Sequence, residues 1–338
     1  MKSMRSLLFL ALCAALAMAG VAAPVAGAQA KPNLRVGLLT GVAGLGDKSF
    51  NDLAYDGAKK AESELGIALK VVEPPDLASE EGLLRSLAKA GNDLVIGVGF
   101  DMADPIKKVS GEFPSALFAV VDAVVNTPNV ASLVFQEHEG SFLVGAVAAM
   151  MSKTGKVGAI PAMDIPFLNR FTKAYEQGAK YVTPGITVVV QPIGSDFGAF
   201  NDPARCKSIA LSMYSQGVDV IYHAAGGSGS GLFEAAKQAH KYAIGCNSDQ
   251  DYMAEGLVLT SMMKRVDVAV HDAIKSARDG TFKAGIHSYG VANGGIGVSE
   301  MKYTKALIGA VNLARLDALK KGIINGSIKV VDALASSN

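Results

Sequence analysis

The sequence predicts an α/β protein of two doubly wound lobes, each built on a parallel sheet, with three crossings of the chain between them. Short apolar runs alternate with amphipathic helical stretches from Lys31 onward, which is the pattern of βαβ units. One strand–helix–strand plan occurs twice, over residues 91–122 and 217–247, and places Asp122 and then Asn247 just past a strand. The length of 338 residues is about twice that of a common domain. Because open parallel sheets bind ligands at the carboxyl ends of their strands, two facing sheets predict one cleft.

Apolar periodicity predicts the elements of the first lobe in chain order. The helix over Phe50 to Leu65 is the clearest, because Leu53, Ala54 and Ala58 recur on one of its faces. The other elements predicted here are strands over 34–39 and 69–72, a helix over 78–90, an apolar run over 91–99, a helical stretch after it and a strand over 117–122. Strands joined through helices in this way form a parallel sheet with right-handed crossovers.

The second half of the chain continues the alternation. It predicts strands over 130–135, 157–160, 187–191, 217–226, 242–247 and 258–261, helices over 141–151, 165–181, 232–242 and 266–279, and a strand near 288–290. The crossings are expected near Ser132–Glu137, Tyr252–Thr260 and Ala284–Val291. The predicted lobes are therefore residues 31–133 with 257–286, and residues 134–256 with 287–338. Three crossings make a hinge, and a hinge lets two lobes close on a ligand.

The first thirty residues have the order of a secretory signal peptide. Lys2 and Arg5 precede an apolar run over 7–19, and a small-residue stretch ends at Ala30. Cleavage there predicts a mature protein in the periplasm. A lipid anchor on Cys13 is not expected, because Leu12 stands directly before it where a small residue is required.

Composition excludes several classes of function. Loss of the two leader cations lowers the formal net charge from +1 to −1, and no basic block remains, which argues against nucleic acid as a partner. No later stretch approaches the ~20 apolar residues of a membrane span. Cys206 and Cys246 are expected to be buried free thiols, and the five scattered histidines give no support to a metal site. No cofactor is expected, and the protein is expected to be a monomer.

Two glycine-containing loops follow predicted strands. In Gly44–Asp52 the Asp47 side chain and free N–H groups can face the cleft, or Asp47 or Ser49 can simply cap the next helix. The run Gly226–Gly231 lacks the Gly-Lys-Ser/Thr sequence of a phosphate loop and fails the dinucleotide spacing. Its glycines instead allow a neutral ligand to approach backbone amides closely.

Five motifs, in this order, carry a resemblance to the basic membrane protein family. They are Gly46–Asn51, Met163–Pro166, Ala225–Gly229, Asn247–Gln250 and Thr260–Lys264, within a similarity that runs from about Leu34 to about Gly297. The family comprises substrate-binding components of ABC importers, and its best-known members are purine nucleoside receptors. The resemblance implies a type I periplasmic-binding-protein-like fold that captures a purine nucleoside between its lobes, performs no catalysis and delivers the nucleoside to a membrane permease served by an ATPase.

The resemblance also implies a set of ligand-binding residues. Carried over position by position, they are Asp47, Phe50, Asn51, Tyr55, Asp122, Phe171, Phe200, Gly226, Gly227, Asn247, Asp249 and Lys264. Polar contacts to the base fall to Asp47, Asn51 and Asp122, and aromatic stacking falls to Tyr55 with Phe171 or Phe200, although each phenylalanine could equally be core. Ribose contacts fall to Asn247, Asp249 and Lys264, and the alternative for Lys264 is a pair with a nearby carboxylate.

Asn247 departs from the family, which has Asp at this position. An amide offers one acceptor and one NH₂ donor where a carboxylate offers two acceptors, so ribose recognition is the part of the transfer most affected. Riboflavin, another heterocycle or a sugar remain alternative ligands of the same fold. A nucleoside-cleaving enzyme is the alternative from another class, although no metal-binding Asp cluster or Ser/His/Asp arrangement supports it.

Overall fold

The computed structural model describes residues 31–335, and the predicted signal peptide with Cys13 lies outside the described residues. The first lobe begins with β1 (Arg35–Leu39), α1 (Phe50–Leu65), β2 (Ala68–Val72), α2 (Glu80–Lys89), β3 (Leu94–Val98), α3 (Ala103–Glu112), β4 (Leu117–Val121) and β5 (Val130–Phe135). These elements match the predicted ones to within a few residues, because their apolar periodicity is strong.

The second lobe follows the first crossing. Its elements are α4 (Glu137–Met151), β6 (Lys156–Pro161), α5 (Pro166–Val182), β7 (Thr187–Val190), α6 (Pro203–Ser215), β8 (Val220–Ala224), α7 (Gly229–Ala239), β9 (Tyr242–Asn247) and β10 (Val258–Lys264). The chain then returns through α8 (Val266–Arg278) and β11 (Gly285–Tyr289), and ends with β12 (Ile296–Val298) and α9 (Lys305–Ile324).

Each lobe contains one six-stranded sheet. The strand order is β11-β5-β4-β3-β1-β2 in the first and β12-β10-β9-β8-β6-β7 in the second. All pairs are parallel except β10 with β12, which is antiparallel and was not predicted. The predicted fold class, two doubly wound lobes on parallel sheets, is confirmed.

The second crossing lies later than the sequence predicts. Strand β10 pairs with β9 in the second sheet, so residues 257–264 belong with the second lobe and the chain crosses at Arg265. Strand β10 is buried along almost its whole length, and a run that is buried on both faces does not indicate which sheet it joins. Strand β11 pairs with β5 along its full length, so the predicted boundary at residue 287 also cuts through an element of the first lobe.

Helices α4 and α5 are pressed together at two glycines. A Cβ on Gly145 would lie 2.0 Å from the carbonyl oxygen of Tyr175, and one on Gly178 would lie 1.9 Å from that of Phe142. Only glycine permits so close an approach of two backbones. This packing brings the start of α4, at the first crossing, next to the start of α5, where Phe167, Leu168 and Phe171 line the interlobe cleft.

Candidate functional site

A pocket of about 690 Å³, including the open space at its mouth, lies between the lobes where strands of both sheets end. It brings together most of the predicted site residues: Asp47, Phe50, Asn51, Asp122, Phe171, Phe200, Gly226, Asn247 and Lys264. The residues that line it but were not predicted include Gly99, Phe100, Asp101, Phe167, Phe197 and Cys246.

Asp122 and Lys264 form a buried ion pair across the lobes. Asp122 follows β4 with a left-handed φ of 69°, and its Oδ2 lies 2.5 Å from Nζ of Lys264, the last residue of β10. Their side chains are 4% and 1% exposed. Lys264 Nζ also lies 2.9 Å from Glu137 Oε1. The ammonium group is therefore already held by two carboxylates.

Burial and charge act against each other in this pair. Burial raises the pKa of Asp122 to about 6, and the neighbouring Lys264 opposes that rise. Burial lowers the pKa of Lys264, but Asp122 and Glu137 more than offset it, so the pKa is raised and the amine stays charged. The second oxygen of Asp122, Oδ1, is buried and has no hydrogen-bond partner among residues 31–335. That oxygen is the acceptor that the pair can offer to a ligand.

Asp47 caps helix α1. Its carboxylate accepts hydrogen bonds from the backbone N–H groups of Ser49, Asn51 and Asp52, at 2.8, 2.9 and 3.2 Å. The prediction that Asp47 can cap the helix after this loop is therefore confirmed. The same side chain borders the pocket, so its predicted contact with a ligand stays a prediction. Asn51 Oδ1 accepts from the N–H of Gly41 at 2.9 Å, which fixes the amide at the edge of the pocket.

Asn247 connects the second lobe to the first. It is the last residue of β9, at the cleft end of that strand, with a φ of 69°, and its Nδ2 donates to Ser49 Oγ at 2.9 Å. Ser49 Oγ in turn donates to the carbonyl oxygen of Cys246 at 3.1 Å. The carbonyl oxygen of Lys48 accepts from Ser248 Oγ at 2.5 Å and from Gln250 Nε2 at 3.2 Å. These hydrogen bonds hold the two lobes together along one side of the cleft.

Aromatic rings from both lobes line the pocket. Phe100 of the first lobe lies 4.9 Å from Phe167 and 5.5 Å from Phe197 of the second, between ring centroids. Phe197 is 5.9 Å from Phe200, and Phe167 is 5.8 Å from Phe171. The sequence did not single out Phe100, Phe167 and Phe197. Phe100 directly follows the glycine that ends β3, and that position was the available signal.

Three predicted residues do not line the pocket. Gly227 lies behind it, where an added Cβ would be 3.6 Å from the Asp47 backbone. Tyr55 is half-buried and packs on the hydrophobic core. Asp249 is exposed, and its Oδ1 accepts from the N–H of Asp251 at 3.0 Å. Their predicted ligand contacts have no support from this arrangement.

The remaining expectations concern metals, thiols and membranes. Residues 31–335 contain no group of three His, Cys, Asp or Glu side chains that could hold a metal ion. Cys206 and Cys246 are both free and buried, which confirms that prediction. None of the helices in the part of the chain that the structure describes is long and apolar enough to cross a membrane.

Two parallel-sheet lobes with a polar and aromatic cleft between them define the class of two-lobed solute-binding proteins. The family model described as "ABC transporter substrate-binding protein PnrA-like" matches residues 35–332. An "ABC transporter nucleoside-binding protein BmpA" from Lactococcus lactis is 32% identical over 325 residues, covering 89% of this chain and 90% of that protein. The chain belongs to this PnrA-like, or basic membrane protein, family of ABC transporter substrate-binding proteins.

Two further comparisons bear on structure and location. A solute-binding protein of an ABC transporter system from Aeropyrum pernix superposes with a TM-score of 0.80 at 33% identity, covering 88% of this chain and 93% of that one. An "uncharacterized lipoprotein" from Pyrococcus horikoshii is 34% identical over 285 residues, covering 81% of this chain and 70% of that protein. Members of the class bind small molecules outside the cytoplasmic membrane, interact with permeases and are not enzymes. The expectation that a lipid anchor is absent has no support from these relatives.

Proposed function

We propose that the protein captures a purine nucleoside between its lobes and delivers it to the permease of an ABC importer. The observation that carries the proposal is the composition of the cleft, in which phenylalanine rings from both lobes adjoin the buried Asp122–Lys264 pair. A flat heterocycle buries its faces against such rings, with about 0.5–1.5 kcal/mol gained per aromatic pair beyond the area effect. A purine supplies a ring N–H or amino donor for the open oxygen of Asp122.

The polar edge of the cleft supports a ligand rich in both donors and acceptors. Asn51, Asn247 and the backbone around Gly226 border the pocket alongside the ion pair. A ligand enclosed there loses water from its polar edges, and each edge left unpaired costs about 1–3 kcal/mol. A nucleoside has an apolar face, a polar base edge and two ribose hydroxyls, which is the combination that this lining matches. The printed name of the Lactococcus lactis relative, a nucleoside-binding protein, supports the same ligand class.

We further propose that the chain is exported through the leader of residues 1–30 and acts as a monomer in the periplasm. The word lipoprotein in the name of the Pyrococcus horikoshii relative makes the mature N-terminus worth measuring. Intact-mass analysis of the exported protein distinguishes cleavage after Ala30 from a diacylglycerol thioether on Cys13. The first result supports our proposal, and the second replaces it with a membrane-anchored receptor.

The ligand is tested by denaturing the purified protein and identifying released small molecules by mass spectrometry. Calorimetric titration then follows with guanosine, adenosine, inosine, uridine, riboflavin and xylose. We expect a purine nucleoside either to be released intact or to bind with a stoichiometry of one. Binding of only riboflavin or xylose, or of none of the six, would overturn the nucleoside assignment while leaving the family assignment in place.

A further inference from the structure

Five charged side chains form a continuous buried chain that begins in the cleft and ends in the C-terminal segment. Lys264 Nζ lies 2.5 Å from Asp122 and 2.9 Å from Glu137. The other carboxylate oxygen of Glu137, Oε2, lies 2.6 Å from Arg170 Nη1. Arg170 then donates to both oxygens of Asp332, from Nε to Oδ1 at 2.8 Å and from Nη2 to Oδ2 at 2.6 Å. Negative and positive charges alternate along the whole chain.

The members come from five different parts of the fold. Asp122 follows β4 in the first lobe, Lys264 ends β10, Glu137 begins α4 at the first crossing, Arg170 lies on α5 and Asp332 lies beyond α9. Exposure is lowest in the middle, with 0% for the Glu137 side chain and 10% for that of Arg170, and rises to 21% for Asp332. A buried charge that loses its partner is strongly destabilised, so each member constrains where the next one can lie.

We propose that Glu137 and Arg170 are positioning residues for the ligand site, fixing Lys264 and through it Asp122, and that Asp332 anchors them from the C-terminal segment. This inference rests on the proposed function for its binding readout. Lys264 Nζ is shared between Asp122 and Glu137, so its position depends on how much negative charge Glu137 presents. Arg170 holds Glu137 in place, because it binds the other oxygen of that carboxylate.

Helix packing alone does not require these ions. The α4–α5 contact is already made by the close approach at Gly145 and Gly178. Arg170 Nη1 also donates to the carbonyl oxygen of Phe135, the last residue of β5, over 2.8 Å. The guanidinium therefore joins the second lobe, the first crossing and the C-terminal segment at one point behind the cleft.

Glu137 and Arg170 influence Asp122 with opposite signs. The charged groups acting on Asp122 are Lys264 and Arg170, which lower its pKa, and Glu137, which raises it. His138 adds no charge near neutral pH, because burial, together with Arg170, lowers its pKa. Substitutions that neutralise the two positions should therefore move the titration of Asp122 in opposite directions.

The first test is carried out on the protein without added ligand. Carboxyl ¹³C chemical shifts of Asp122 are followed against pH for the unaltered chain, Arg170→Gln and Glu137→Gln. We expect the Asp122 titration midpoint to rise in Arg170→Gln and to fall in Glu137→Gln. Arg85→Gln is the matched control, since Arg85 also bridges two carboxylates, Glu81 and Glu112, at 2.7 and 2.6 Å, but on the first lobe's surface. Midpoints that stay unchanged, or that move in the same direction, would overturn the proposal.

The second test measures binding of the purine nucleoside that the unaltered protein prefers. We expect Arg170→Gln to weaken it about tenfold. We expect Asp332→Asn, at the more exposed end of the chain, to weaken it about threefold, as coupling through a packed network gives. Arg170→Lys should recover part of the loss, and Arg85→Gln should bind normally. Unchanged affinity in both Arg170→Gln and Asp332→Asn would overturn the proposal. Absence of nucleoside binding by the unaltered chain would overturn the proposed function instead, and the titration of Asp122 would then decide the inference.

Discussion

The two sheets end in the same way at the cleft but carry different chemistry there. Asp122 after β4 and Asn247 at the end of β9 have the same left-handed φ of 69° and hold corresponding places in the two repeats. Each reaches across to the other lobe, Asp122 to Lys264 and Asn247 to Ser49. One contact is an ion pair and the other is a neutral hydrogen bond.

The two strand ends therefore need different support from the residues around them. A buried ion pair is costly unless every member is matched, and the first strand end has a chain of further charges behind it that provides the match. The neutral bond needs no such support and makes and breaks at small cost. The Asp122 side therefore depends on charges behind the cleft, and the Asn247 side does not.

The largest expected effect follows from removing the cation. Lys264→Met would leave Asp122 and Glu137 buried without their shared partner, which typically costs about 3–5 kcal/mol of stability. Purine nucleoside affinity should fall at least about a hundredfold, and more for nucleosides than for free bases. Urea unfolding and calorimetric titration measure the two effects. Lys207→Met is the control, since its 3.1 Å pair with Glu234 is exposed, and should cost less than about 0.5 kcal/mol. If Lys264→Met and Lys207→Met lowered stability and affinity equally, the contrast between the buried and the exposed ion pair would be refuted.

Replacing Asp122 by the residue found at the other strand end gives the next largest effect. Asp122→Asn keeps the shape but replaces one carboxylate oxygen by an NH₂ donor and removes the negative charge, so nucleoside affinity should fall more than about tenfold with the fold intact. The pH dependence also changes. Because burial raises the folded-state pKa of Asp122 from its ordinary 3.8 to about 6, its contribution to stability is full below pH 3.8 and is lost as pH rises through 6.

As the pH rises from 4 to 7, the free energy of unfolding of the unaltered protein should therefore fall relative to that of Asp122→Asn. Urea midpoints at the two pH values check this, and a difference of the opposite sign would show that Asp122 is ionised at both. Circular dichroism verifies that the variant is folded.

The comparison of the two strand ends also shows which features could be predicted from the sequence. Both strand ends were found because an apolar run followed by a polar residue is a local pattern. The partners were not found, because Ser49 and Glu137 lie far along the chain from Asn247 and Lys264, and only tertiary packing brings them together. For the same reason the charge chain to Asp332 has no sequence signal. Strand β10 was assigned to the first lobe because its residues are buried on both faces, so their pattern does not name a neighbour.

Giving the second strand end a charge tests the neutral side. In Asn247→Asp the carboxylate cannot donate to Ser49 Oγ, and Ser49 could donate to the carboxylate only by giving up its hydrogen bond to the carbonyl oxygen of Cys246. We expect a loss of about 1 kcal/mol in stability at pH 7, and less in a Ser49→Ala background. Nucleoside affinity should change by less than about tenfold. A loss that is the same in both backgrounds would show that the hydrogen bond to Ser49 is not what the substitution disrupts.

The smallest effect is expected two residues beyond that strand end, at Asp249. This side chain is exposed and outside the pocket, so Asp249→Asn should leave nucleoside affinity within about twofold, which calorimetry resolves. Its charge still acts on Asp251, whose pKa is raised to about 6, mainly by burial and then by Asp249. Removing the repulsion should lower that pKa. Since a raised carboxyl pKa costs stability above it, the variant should be slightly more stable at pH 7 and unchanged near pH 4. If Asp249→Asn weakened binding as much as Asp122→Asn, the ribose contact implied by the family motif would hold, and the contrast between a charged and a neutral side of the cleft would fail.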